Sequence, residues 1–257
     1  MKKKIIIGSR GSELALWQSN FVKKELEKKN KNIEVEIIII KTKGDKILDV
    51  SLSKIGDKGL FTKELEKELL NGKIDLAVHS LKDLQTQIPE GLKLGAVTKR
   101  HKVEDVLIAR KKGITIFDLK ENAIVATGSL RRRSQLLHLR PDLNINELRG
   151  NVPSRIKKFS ESDWDAIILA SAGVERLGLK KFISSYIPKE LILPAVGQGA
   201  LAIEIREDNL FIQDIVNSVN DENTHKAILA ERAFLKKLEG GCQVPIGAFA
   251  EIKSNGL

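Results

Sequence analysis

Apolar residues in this chain follow two rhythms that alternate along most of its length. Short runs with strand character, at residues 4–8, 33–40, 74–79, 103–109, 123–127, 144–148 and 164–170, are separated by stretches with helical spacing. Ser12 precedes a stretch in which Leu14, Trp17, Phe21 and Val22 share one face, and it is expected to cap a helix packed through that face. A glycine-punctuated loop covers residues 42–59, and a helix from about Thr62 is expected to stop at Asn71-Gly72. Further helices are expected at residues 130–139, closed by Pro141, and at residues 152–159. An alternating strand at residues 201–205 leads into two helices that run to about Leu238, and residues 248–252 read as a last short strand. Such alternation implies an α/β fold, with a mainly parallel sheet covered by helices on both faces.

Composition narrows the classes. Of 257 residues 42% are hydrophobic, enough for a real core, yet no apolar run approaches the ~20 residues that span a bilayer. Residues 1–7 hold three lysines and then three apolar residues, too few for the roughly 7–15 of a secretory signal. Cys242 is the one cysteine, so no internal disulfide is possible; both features lead to the expectation of a cytoplasmic chain. His79, His101, His138 and His225 show no ligand spacing, and no metal is expected. Lys+Arg exceed Asp+Glu by 44 to 34, a net charge of +10 that suits nucleic acid or anionic small molecules. Pairs such as Lys23-Lys24 and Lys28-Lys29 read as solvated helix faces. With two tryptophans and one tyrosine, stacking platforms for nucleic acid are scarce. The expected partner is a polyanionic small molecule, with neither nucleic acid nor membrane.

In sheets of this kind ligands bind beyond the carboxyl ends of strands. Five strand ends deliver small residues together with a cation: Ser9-Arg10-Gly11-Ser12, Ser80-Leu-Lys82-Asp83, Thr127-Gly-Ser129 followed by Arg131-Arg132-Arg133, Arg149-Gly150-Asn151 followed by Arg155, and Ser171 with Gly173 and Arg176. Glycine and serine let backbone approach a ligand, helix N-termini attract anions, and guanidinium forks match carboxylates. Asp83 stands among these cations either as a local cap or ion-pair partner, or as an acid/base carboxylate. Cys242, after two glycines and before Pro245, is either an inert core thiol or a loop nucleophile or attachment point. Gly197-Gln-Gly199-Ala-Leu-Ala202 fits the dinucleotide fingerprint in letters only, because a strand pattern, not a helix, follows it.

The segments Gly8-Ser-Arg-Gly-Ser-Glu-Leu-Ala-Leu-Trp-Gln18, Gly56-Asp-Lys-Gly-Leu-Phe61, Ala77-Val-His-Ser-Leu-Lys-Asp83, Gly128-Ser-Leu-Arg-Arg132, Leu148-Arg-Gly-Asn-Val152, Leu193-Pro-Ala-Val-Gly-Gln-Gly199 and Leu238-Glu-Gly-Gly-Cys-Gln-Val-Pro-Ile246 together resemble the porphobilinogen deaminase (hydroxymethylbilane synthase) family. The resemblance runs in order over essentially the whole chain. It implies a transferase of tetrapyrrole (haem) biosynthesis that condenses four porphobilinogen molecules head to tail, with loss of ammonia at each step. It implies a dipyrromethane cofactor, two linked pyrrole units, joined by a thioether to Cys242. Asp83, with Lys82, is implied to be catalytic and to stabilise an azafulvenium-type cation. Ser80, Lys82, Asp83, Thr127, Ser129, Arg131, Arg132, Arg149 and Gly150 are implied to hold the cofactor. Arg10, Ser12, Gln18, Arg149, Arg155, Arg176 and Gln198 are implied to hold substrate, and Lys54, Lys58 and Phe61 to belong to a lid loop.

The same resemblance implies a monomer with two periplasmic-binding-protein-like domains and a small α+β third domain. Domain 1 would comprise residues 1–98 and 198–219, domain 2 residues 99–197, and the cysteine-bearing domain 3 residues 220–257. Members of the family continue for several tens of residues, so the third domain is expected to be incomplete at Leu257, with the strand at residues 248–252 lacking its neighbours. Gln85 stands where the family commonly has proline, and the loop after Asp83 is expected to be looser for it. Two rivals remain: a non-catalytic binding protein for a polycarboxylate, which needs neither Asp83 nor Cys242, and a cysteine hydrolase, for which no histidine has a recognisable partner.

Overall fold

The structure is a computed structural model that describes residues 2–46, 59–238 and 244–253. Two five-stranded mixed sheets organise it. The first contains β1 (Lys3–Ser9), β2 (Ile33–Ile39), β3 (Leu76–Ser80), β4 (Leu92–Val97) and, from far along the chain, Leu201–Arg206. The second contains β5 (Asp105–Ala109), β6 (Ile124–Ala126), β7 (Asn144–Asn146), β8 (Ala166–Ala170) and β9 (Ser185–Ile187), which makes Leu201–Arg206 strand β10. The spatial orders are β2-β1-β3-β10-β4 and β7-β6-β8-β5-β9.

The two sheets share one plan. In the first, β2, β1 and β3 run parallel and β10 lies antiparallel between β3 and β4. In the second, β7, β6 and β8 run parallel and β5 lies antiparallel between β8 and β9. Each antiparallel strand is the one that arrives from the other sheet, so the chain crosses between them twice, after β4 and after β9. At the second crossing Gly199 takes φ +88°, and a Cβ there would stand 2.6 Å from the His101 carbonyl oxygen. Only glycine fits such an approach. The segment from Gly197 to Ala202 leads straight into β10, a strand, so the dinucleotide reading fails in the structure as well.

Helices cover the sheets: α1 (Glu13–Lys29), the single turn α2 (Lys43–Lys46), α3 (Lys63–Leu70), α4 (Leu130–Leu139), α5 (Val152–Ser160), α6 (Ser171–Arg176), α7 (Leu210–Asn217) and α8 (Glu222–Lys237). Ser12 caps α1, its Oγ accepting from the Ala15 amide at 3.3 Å, a contact worth about 1 kcal/mol. The packed face of α1 differs from the expected one. Ala15, Gln18, Ser19, Val22 and Leu26 are buried, whereas Trp17 and Phe21 are 37% and 36% exposed. Small residues at positions 15 and 19 form a stripe with Val22 and Leu26 at helical spacing and let the helix lie close to the sheet, where Ser19 Oγ donates to Ser9 Oγ at 2.8 Å.

In the centre of the first sheet Ile5, Ile7, Leu76 and Ile203 are fully buried, each worth about 1.5–3 kcal/mol. His79 on β3 is also buried there, its Nε2 2.9 Å from Glu204 Oε2 on β10. Sequence inspection misses β4 and β9, the strands at one edge of each sheet. Residues 248–252 do not form the expected strand: this stretch is irregular, tied down by Ala248 N–H to the Pro194 carbonyl at 3.0 Å and Ala250 N–H to Glu231 Oε1 at 2.8 Å. A strand needs a partner ladder, and among the described residues none adjoins it. The loop after Asp83 is pinned rather than loose, since Arg232 on α8 donates to the carbonyls of Leu84 and Gln85. Among the described residues no helix is long and apolar enough to cross a membrane.

Candidate functional site

Strands β1 and β3 run parallel, with Gly8 beside Ala77, so their carboxyl ends open at one edge of the first sheet. β1 runs out into Arg10 and the Ser12 cap, and β3 into a 3₁₀ turn, Leu81–Asp83. A groove section of about 390 Å³ opens there, lined by Arg10, Ser12, Gln18, Phe61, Ser80 and Asp83 among others. Gln18 is buried and donates from Nε2 to Ser80 Oγ at 2.7 Å. The Arg10 guanidinium lies 4.1 Å from the centroid of the Phe61 ring. Asp83 is exposed on this wall; the residue before its turn, the cap position, is Ser80.

A second section of about 510 Å³ shares Gln18, Ser80 and Leu14 with the first and adds Lys82, Arg132, Arg155 and Arg176. Arg155 comes from α5 and Arg176 from α6, both at carboxyl-end connections of the second sheet. The two sections therefore form one groove with walls from both sheets. The field of Asp83 reaches Lys82 beside it and Arg155 on the opposite wall, raising the pKa of each. Burial works against both cations: Lys82 is pushed down to about 8, chiefly by desolvation and then by Arg132, and Arg155 to about 10 by desolvation and Arg132. Desolvation holds Arg176 at about 10 as well. Cations that resist their own burial are primed for anions.

Several of these cations have partners only in part. Arg155 Nε donates to the Gly150 carbonyl at 2.7 Å, and Arg176 Nη2 to that of Gly199 at 2.8 Å. Arg149 Nη1 and Arg176 Nε are buried without a hydrogen-bond partner among the described residues. Arg149 and Gly150 stand behind Arg155, whose pKa Arg149 also lowers. Thr127 and Ser129 organise the start of α4: Thr127 Oγ1 accepts from the Ser129 amide at 3.3 Å, and Ser129 Oγ from the Arg132 amide at 3.4 Å.

Two expectations change. Arg131 does not line the groove. It is 4% exposed, donating to the Leu193 carbonyl at 2.6 Å and to Asp105 Oδ2 at 2.8 Å. Gln198 is also internal, 1% exposed, with Nε2 donating to the Val103 carbonyl at 2.6 Å and to Asp105 Oδ1 at 2.8 Å. Both are captured by Asp105, a buried carboxylate on β5 that sequence reading overlooked. Arg132 also pairs with it, through Nε at 3.0 Å and Nη2 at 2.7 Å, while still facing the groove. Desolvation pushes the Asp105 carboxyl up, yet Arg132 and Arg131 overcome this and hold it well below the usual range. Sequence carries little sign of this pairing, because Asp105 lies 26 and 27 residues from its partners. Lys54, Lys58 and Cys242 lie outside the described residues.

The donor set fits an oligocarboxylate cofactor: Arg132, Arg155 and Arg176 line the groove from the side of the second sheet, and Lys82, its pKa lowered, lines it from the first. Fold and groove together define an α/β protein with two sheets and a cation-lined groove between them. The fold is shared with the crystal structure of the methionine binding protein MetQ, at a TM-score of 0.53 and 15% identity over 93% of this chain and 96% of that one. Residues 5–214 match the family model described as porphobilinogen deaminase, dipyromethane cofactor binding domain, and residues 225–257 match the porphobilinogen deaminase C-terminal domain. The porphobilinogen deaminase of Carboxydothermus hydrogenoformans is 55% identical over all of this chain and 82% of its own length, and that of Chlorobium phaeobacteroides 54% over the same shares. The chain belongs to the porphobilinogen deaminase family.

Proposed function

We propose that the groove binds porphobilinogen and the lengthening pyrrole chain, and that the protein is a transferase that adds four units head to tail; cleavage of the bond between the first unit's methylene and the cofactor, with water supplying the hydroxyl, then releases hydroxymethylbilane. In each addition the bond from the aminomethyl carbon to nitrogen breaks and ammonia leaves. A carbon–carbon bond forms from that methylene to the free α-carbon of the preceding ring, which gives up its proton. The dipyrromethane cofactor, held through Cys242, supplies the first such α-carbon when bound.

Asp83 manages the proton at the departing nitrogen and faces the positive charge left on the methylene. Its exposed carboxylate, flanked by Lys82 and opposed by Arg155, is the observation that carries this reading. Each unit brings an acetate and a propionate. Arg10, Ser12 and Gln18 receive these groups on one wall, and Arg132, Arg149, Arg155 and Arg176 on the other. Thr127, Ser129 and Gly150 present backbone and hydroxyl groups beside them. Arg131 and Gln198 act as positioning residues, holding Asp105 and so the orientation of Arg132. The residues of the first sheet, 1–98 and 198–219, form one domain, residues 99–197 the second and residues 220–257 a third. The protein acts as a monomer in the cytoplasm, without nucleic acid or membrane; a reduced Cys242 thiol is what thioether attachment requires.

Intact-protein mass spectrometry tests this reading. The expected mass exceeds that of the bare chain by two pyrrole units, and Cys242→Ala removes the excess. A bare-chain mass, together with no ammonia release from porphobilinogen after attempted loading, would overturn it.

A further inference from the structure

The sequence leads one to expect Trp17 and Phe21 in the core, yet both lie on the surface of α1. Their rings stack in parallel, with centroids 5.5 Å apart and 4° between planes. The Arg176 guanidinium sits 5.5 Å from the centroid of the Trp17 ring. Arg176 lines the groove, as do Leu14 and Gln18, which flank Trp17 on the same helix. Helices α1 and α6 touch, with Leu14 close to Gly173, and Arg176 reaches Trp17, so Trp17 stands at the rim where the two walls meet and Phe21 continues it along α1. Arg176 Nε is buried and unpartnered among the described residues, and desolvation lowers the pKa of the guanidinium to about 10. An anion would relieve both conditions.

The cations that line the two groove sections are Arg10, Lys82, Arg132, Arg155 and Arg176. Two cofactor rings and four added units make six rings with twelve carboxylates, more than those lining cations can pair. A chain that lengthens while anchored must run over a rim. Along α1 the wall continues as flat aromatic surface with a cation beside it, matching a pyrrole ring that carries carboxylates.

We propose that Trp17 and Phe21, with Arg176, form a stacking platform that receives the outer rings of the pyrrole chain once the groove is full. This rests on the deaminase reading of the groove. The platform leaves the first addition untouched and supports the later ones.

The loaded protein is mixed with limiting porphobilinogen, and mass spectrometry resolves species with one to four added units. In Trp17→Leu the first addition keeps its rate, whereas the third and fourth slow about tenfold, the size of one lost stacking contact, and the species with two added units accumulates. Trp17→Phe restores the distribution, and Phe21→Leu reproduces the stall more weakly. In a Trp164→Phe background, Trp17 emission changes when the later units are added and not with the first. An unaltered distribution in Trp17→Leu, an equal slowing of all four additions, or an emission change complete at the first addition would each overturn the platform. If no units add to the unsubstituted protein, the deaminase reading falls, and this inference with it.

Discussion

Asp83 and Lys82 are neighbours in one 3₁₀ turn with opposite requirements. Burial favours neutral Lys82, and its pKa stands at about 8 rather than 10.5. Because the folded value lies below the unfolded one, the folded state binds fewer protons between about 8 and 10.5, and stability rises with pH across that window. Binding runs the other way. Under the proposed function a protonated Lys82 pairs with a substrate carboxylate, and raising the pH through 8 removes a charge-assisted contact worth about 1.5–3 kcal/mol. The KM for porphobilinogen is therefore expected to rise about tenfold or more above pH 8. In Lys82→Arg, whose guanidinium stays charged, that rise should vanish; a KM that climbs equally in the variant would show that another group titrates. Residue chemistry was the most legible layer in the sequence. The strand-end clusters of Ser80-Leu-Lys82-Asp83 and Arg155 point to a cation-lined cleft through residue type alone, and the structure brings these residues to one groove. The burial that lowers Lys82 and the direction in which Asp83 faces follow from packing and were not legible.

At the scale of elements, Asp105 binds three pieces of chain together: β5, the start of α4 through Arg131 and Arg132, and the crossing segment through Gln198. Breaking a buried pair leaves an uncompensated charge and costs about 3–5 kcal/mol. Asp105→Asn is expected to lower stability by that order in urea denaturation and to raise the KM through a misplaced Arg132. A loss under about 1 kcal/mol would show that the network is not structural. The sign of its pH dependence follows from the depressed carboxyl: its stabilisation is present above the ordinary carboxylate pKa and is lost as pH falls below it. Local patterns placed α4 at its observed bounds, because Ser129 caps it and Pro141 closes it. They failed on α1, where a small-residue stripe competes with a large apolar one at similar spacing, and hydrophobicity favoured the wrong face. They failed at residues 248–252 too, since a strand depends on partners and not on its own sequence.

Across the whole molecule, the two crossings and the C-terminal segment meet at Glu231 of α8. Its carboxylate accepts from Arg100 at 2.5 and 3.2 Å, from the Gly197 amide at 2.8 Å and from the Ala250 amide at 2.8 Å. This single buried group ties residues 244–253 to both crossings. Glu231→Gln is expected to speed hydrogen exchange at Ala248 and Ala250 while leaving β1 and β8 protected; unchanged exchange at Ala250 would show that other contacts hold the segment. The α/β class was legible from the alternation of strands and helices, whereas the division into two sheets was implied only by the family resemblance. The shared antiparallel strand in each sheet was not legible, because only the crossings create it.

The proposed mechanism stands on Asp83 acting amid converging cations. Single-turnover ammonia release from porphobilinogen by Asp83→Asn, with the cofactor mass on Cys242 verified beforehand, tests it most directly. A positioned acid or base contributes about 10²–10⁴-fold, so release should slow by that factor while the KM changes little. Release at close to the unsubstituted rate from a loaded Asp83→Asn protein would contradict the account.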